Sequence, residues 1–69
     1  MKIKYFPDTD TALIEFADSP VAETREISQD IYVDMDEHGG LVSMTIEHAK
    51  TAAKIKDLTF QEIVGTSAA

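Results

Sequence analysis

The sequence contains no cysteine, which excludes disulfide staples, thiolate catalysis and Cys-ligated zinc or iron–sulfur centres. Long apolar runs are missing too. The opening Met1-Lys2-Ile3-Lys4 leads into no hydrophobic stretch, so neither a signal peptide nor a membrane span is expected. Positive charge is scarce: 6 Lys and Arg stand against 13 Asp and Glu, a net charge of −7. An acidic surface repels nucleic acid and anionic membranes, which argues against phosphate-backbone binding as the main task. Glycine is rare, and Gly39-Gly40 stands outside any strand–loop–helix frame, so no phosphate-cradling loop is expected. What remains is a soluble, acidic, cytoplasmic domain.

At 69 residues the chain is a single domain that buries only about 60% of the surface its unfolded state exposes. Its hydrophobic content of 43% suits a globular fold with a marginal core. Lys2 to Phe6 alternates polar with apolar residues, the period-two mark of a half-buried strand. Pro7-Asp8-Thr9-Asp10 supplies turn chemistry, and Thr11 to Phe16 reads as the returning strand. Ala17 to Pro20 is a loop. Glu23 to Ile27 is a charged, weaker strand suited to an edge or an exposed face. Ile31 to Asp36 sends Ile31, Val33 and Met35 one way and Tyr32, Asp34 and Asp36 the other. After a turn at Glu37-His38-Gly39-Gly40, Leu41 to Glu47 places Val42, Met44 and Ile46 on one face.

The period then changes. Ala49, Ala52, Ala53, Lys50 and Lys54 fit a 3.6-residue repeat. Thr59 with Glu62 forms a capping box, Leu58 with Ile63 a hydrophobic staple, and Gly65 a C-terminal stop. The expected fold is α+β: a four- to five-stranded antiparallel β-meander over 2–47, one or two short helices over 48–65, and a frayed end over 66–69.

Each candidate for chemistry has a structural reading beside it. Asp34-Met35-Asp36-Glu37-His38-Gly39 echoes the start of a calcium loop. Its fifth position is His38, however, and its twelfth falls on Thr45, which has no carboxylate, so a solvated turn is the stronger reading. His38 is expected to be exposed in its glycine turn. His48 is expected at the passage from strand to helix, with a local hydrogen bond. No H-E-x-x-H spacing joins them, so no metal site is assigned. The carboxylate pairs Asp8/Asp10, Asp34/Asp36 and Glu23/Glu26 lie in turns or on charged faces, where water keeps both members ionised. Ser19, Ser28, Ser43 and Ser67 lack a nucleophile elbow. No catalytic residue and no cofactor is assigned. Lys50, Lys54 and Lys56 are too few for a nucleic-acid surface.

Charge distribution says more than any motif. Asp8 to Glu37 holds six Asp and four Glu against Arg25 alone, a local balance of −9. Such a face could steer a cationic partner or serve solubility alone.

Residues 5–50 resemble a known family, domain of unknown function 2283. The likeness rests on the first hairpin from Tyr5 to Ile14, similar to that family's Y-x-P-x-x-D-x-L-x-I opening. It continues through Val21 to Ile27 and Ile31 to Val42, and closes on Thr45-Ile46-Glu47-His48-Ala49, which is similar to an I-E-x-A ending. Ser43 stands where the family often has glycine. The resemblance implies a small β-rich fold, no established activity and no defined catalytic residues. It also implies antitoxin-like partnership with small neighbouring toxins as one role suggested for members.

These readings combine into a function of the non-enzymatic kind. The expected role is a protein–protein interaction module of a prokaryotic cytoplasm, with Asp34, Asp36, Glu23 and Glu26 contacting a small basic protein. A homodimer is expected because a second copy can complete a marginal core. The alternative is a small-ligand or divalent-ion binder on the acidic turns.

Overall fold

Hydrophobic alternation has somewhere to go only if strands pair so that their apolar sides coincide. A computed structural model of the chain, in which residues 1–65 are described, has this arrangement. The expected end at Thr66–Ala69 lies outside those residues. Strands β1 (Lys2–Phe6), β2 (Thr11–Glu15), β3 (Glu23–Ser28), β4 (Ile31–Met35) and β5 (Leu41–Glu47) form one antiparallel sheet. A short helix α1 (Ala49–Ala52) and a 3-10 turn at Ile55–Asp57 follow. The expected α+β class is therefore what the chain adopts.

The spatial order is β1-β2-β5-β4-β3. Strands β3, β4 and β5 form a meander, and the β1–β2 hairpin joins it at the far side of β5. The connection between β2 and β3 runs past one end of the sheet, where Phe16 N and Ala17 N both donate to Val42 O, at 2.8 and 3.2 Å. Strand β5 takes the centre because it is the longest and carries buried Val42, Ser43 and Ile46. Strand β3, exposed along its whole length, takes an edge, as its charges suggested.

Cross-strand register assigns the two faces. Ile3, Ile14, Met44, Val33 and Arg25 lie in one row across all five strands. Tyr5, Ala12, Ile46 and Ile31 form the next row on the same side. The core sits here: Ala12, Ile46 and Ala49 are buried together, with Tyr5, Ile14, Met44 and Ile55 packed against them. No large side chain among the described residues is fully buried.

The C-terminal segment is less helical than its sequence suggests. His48, in the left-handed region at φ 53°, turns the chain out of β5 into α1. The helix lasts one turn and is held by tertiary contacts rather than propensity. Ala49 N donates to Asp10 O at 2.9 Å, and the Ala49 side chain packs on Ala12 and Ile46. Lys54, at φ 47°, ends the helical direction before the 3-10 turn. Residues 58–65 form no helix, so the capping box of Thr59 and Glu62 does not act as one. A helix this short is unstable without a face to pack on. Leu58, Phe60, Ile63 and Val64 are 63–85% exposed and have none.

Candidate functional site

The side of the sheet opposite the core is polar. It carries Thr24 and Glu26 of β3, Tyr32 and Asp34 of β4, Ser43, Thr45 and Glu47 of β5, and Leu13 and Glu15 of β2. Tyr32 lies between Glu26 and Thr45 in the cross-strand register. The charge of Glu47, then that of Glu26, pushes the Tyr32 phenol above its ordinary value. Burial, Asp30 and a hydrogen bond to Glu47 add to the effect. Three carboxylates, two flanking the β3–β4 turn and one on β5, thus act on one aromatic hydroxyl. A phenolate there would be a further anion among anions, so Tyr32 stays neutral and the patch stays acidic.

Next to this patch, Asp34 has a different environment. Its carboxylate accepts hydrogen bonds from Thr24 Oγ1 at 2.5 Å and from Ser43 Oγ at 2.6 Å. One side chain therefore clasps β3, β4 and β5 together. The Ser43 bond, then the Thr24 bond, holds the Asp34 carboxyl below its usual value, against the opposing effect of burial. On the other flank, Glu15 pairs with Lys4 Nζ at 2.9 Å, and that bond lowers its carboxyl as well.

The four residues expected to meet a partner do not form one surface. Glu26 and Asp34 share the polar face. Glu23 lies on the apolar side, opposite Met35, and pairs with Arg25 Nε at 2.7 Å. Asp36, expected to project beside Asp34, is drawn instead into its own turn, because a register shift separates Asp34 from Met35. Its Oδ1 accepts from His38 N at 2.9 Å and Gly40 N at 2.7 Å. Gly39 takes φ +81°, and a Cβ on Gly40 would stand 2.7 Å from Asp36 Oδ2. Asp36 is a turn-former, satisfied by backbone donors.

Glu47, Asp30 and Tyr32 were not among the expected site residues. Tyr32 could have been found, since alternation puts it on the same side as Asp34. Asp30, two residues before Tyr32, could have been found in the same way, whereas Glu47 could not, because only strand order brings β5 beside β4. His48 does sit at the passage from strand to helix, with its Nδ1 3.1 Å from Asp30 Oδ1. That partner is distant in sequence rather than local. Among the described residues no three His, Asp or Glu side chains converge in a way that could hold a metal ion. The first acidic turn is also committed: Asp10 Oδ1 accepts from Tyr5 Oη at 2.7 Å and from Lys50 N at 3.2 Å. Among the same residues, no helix is long and apolar enough to cross a membrane.

Asp10, held below its usual value chiefly by the Tyr5 hydrogen bond, joins Glu15 and Asp34 in setting the acid limit of stability. A carboxyl with a lowered folded-state pKa stabilises above its unfolded value, about 4, and loses that contribution as pH falls through the folded one. The melting temperature should therefore be level from about pH 5 to 8 and fall below about pH 4. Tyr5, pushed up to about 12 mainly by its hydrogen bond to Asp10, sets the other limit. Its contribution is complete below about 10 and is lost as pH rises through the folded value. Thermal melts followed by circular dichroism across this range are the check. Melting that rises on acidification would mean that relief of the −7 repulsion outweighs these bonds.

The arrangement defines a class: a small single-sheet α+β domain with one apolar face and one acidic face. The chain belongs to the family described as protein of unknown function (DUF2283), whose model matches residues 2–50. The matched stretch covers the whole sheet and ends at the start of α1. No curated protein and no solved structure matches the chain.

Proposed function

We propose that the protein is a non-enzymatic interaction module that receives a small basic protein on the polar face of its sheet. The observation carrying this reading is the Tyr32 patch, where Glu26 and Glu47 share one strand-built face with Tyr32 and their charges, with that of Asp30, keep its hydroxyl neutral. A guanidinium or ammonium group gains there from carboxylates and from the ring together. Sheet faces hold such groups rigidly, so little ordering cost opposes binding. The antitoxin-like version has the acidic face covering the basic working surface of a toxin. The setting is the cytoplasm of a prokaryote, in keeping with a chain that has no cysteine.

An ion-binding role on the acidic turns has less support. The Asp10 and Asp36 carboxylates already accept bonds from the chain's own donors. Binding of a cation would have to displace them.

The test is capture from lysate of the source organism on the immobilised chain, with salt elution and mass spectrometry, repeated with Glu26→Lys/Glu47→Lys. The expected result is a stoichiometric partner with a pI above about 9. The double reversal should reduce its capture at least roughly tenfold, mainly through slower association, while the melting temperature is preserved. Capture that survives the reversal would discard the Tyr32 patch as the contact.

A further inference from the structure

We propose that the open half of the apolar face is covered by a second copy of this chain, each copy laying its C-terminal segment across the other. This concerns the side of the sheet away from Tyr32 and stands apart from the reading above.

The first observation is a cover that reaches only halfway. Ala49 and Ile55 pack over Ala12 and Ile46 with Tyr5, Ile14 and Met44. Lys56 Nζ sits 5.8 Å from the centre of the Tyr5 ring. The sheet residues under this cover all lie on β1, β2 and β5. Ile31 and Val33 of β4 face the same side, and among the described residues neither belongs to the cluster under α1.

The second observation is a segment with nothing beneath it. Leu58, Phe60, Ile63 and Val64 are 63–85% exposed. The radius of gyration, 14.1 Å, exceeds the roughly 11 Å expected of a compact chain of this length. A half-buried apolar strip outside the cluster and an unburied apolar segment thus occur on one molecule. Two copies satisfy both needs at once.

Symmetry and charge select the geometry. A twofold axis along β5, in the plane between two facing sheets, sets the β1–β2 half of each copy over the β4–β3 half of the other. Lys54 and Lys56 lie in the C-terminal segment, with Lys56 Nζ over the ring of Tyr5 on β1. Glu23, on the apolar side of β3, lies in the opposite half, where its Oε2 pairs with Arg25 Nε. The twofold therefore brings Lys54 and Lys56 of each copy toward the Glu23–Arg25 pair of the other, where Glu23 Oε1 can accept from an ammonium. Superposing like halves would oppose the Lys54 and Lys56 ammonium groups of the two copies and is disfavoured.

The area is adequate. Four exposed apolar side chains offer roughly 500 Å² per copy. Two such segments and the surfaces they cover approach the ~1,600 Å² of a stable interface.

The test is sedimentation equilibrium of the chain up to about 200 µM, a range that detects even a weak dimer. The expected mass is twice 7.6 kDa. Phe60→Asp/Ile63→Asp, at exposed positions that cannot unfold the sheet, should weaken the dimer at least ~100-fold while leaving its circular dichroism unchanged. Glu23→Lys and Lys54→Glu/Lys56→Glu should each weaken it, and their combination should restore at least roughly tenfold of the loss. A monomer throughout the range, or a dimer indifferent to Phe60→Asp/Ile63→Asp, would overturn the proposal.

Discussion

Replacing Asp10 by alanine should lower the melting temperature by roughly 10 °C, the scale of two lost hydrogen bonds and a strained backbone in so small a domain. Asp10 is the tie between the first hairpin and the C-terminal segment. Its carboxylate holds Tyr5 Oη and Lys50 N, and its backbone carbonyl accepts from Ala49 N. Its own backbone lies in the left-handed region at φ 55°, which aspartate and asparagine tolerate better than alanine. Three variants separate the contributions. Asp10→Asn keeps the backbone preference and a weaker acceptor, so it should be the mildest. Asp10→Gly relieves the backbone and loses both side-chain bonds. Asp10→Ala loses both side-chain bonds and strains the backbone, and should be the worst. Hydrogen exchange should show α1 opening before the sheet in the alanine variant. Equal melting of all three would mean that the tie does not hold the segment.

Asp10 also shows how far the sequence could be read. The Pro7–Asp10 turn chemistry and the five strands were legible because period-two alternation is a local signal. So was the edge position of β3, announced by its charges. Strand order was not, because nothing local says that β5 passes between β2 and β4. Every functional pairing that depends on order was hidden with it, including Glu47 beside Tyr32 and the reach of Asp10 to Lys50. At the C-terminus the short helical elements form as expected, but the helix signalled around Thr59 does not. Thr59, Glu62 and the Leu58–Ile63 spacing are real local signals for a helix, but a helix of that length needs a surface. The chain's own sheet does not supply one to Leu58–Val64. A local rule broken for want of a partner is the pattern expected where a molecule is completed by association.

Asp34 gives the second large effect. Its position on the acidic strand suggests a contact residue whose reversal to lysine would affect binding and spare the fold. The structure leads to the opposite expectation. Its two carboxylate oxygens bridge Thr24 on one neighbouring strand and Ser43 on the other. Ser43 is buried, at 8% exposure, on the central strand. Removing its acceptor leaves a buried hydroxyl unsatisfied, at a cost of about 1–3 kcal/mol. A domain this small has only ~3–5 kcal/mol to lose. Asp34→Ala should therefore melt roughly 10 °C lower, and Asp34→Lys lower still, because the ammonium cannot accept either bond. Asp34→Asn, which keeps one acceptor oxygen, should fall between alanine and the parent. The decisive comparison is Ser43→Ala with Asp34→Ala in a double-mutant cycle. If the clasp is real, the double variant is more stable than the sum of the two losses predicts, since no orphan hydroxyl remains. If the effects simply add, Asp34 is a surface charge after all, and Asp34→Lys becomes a clean probe of the polar face.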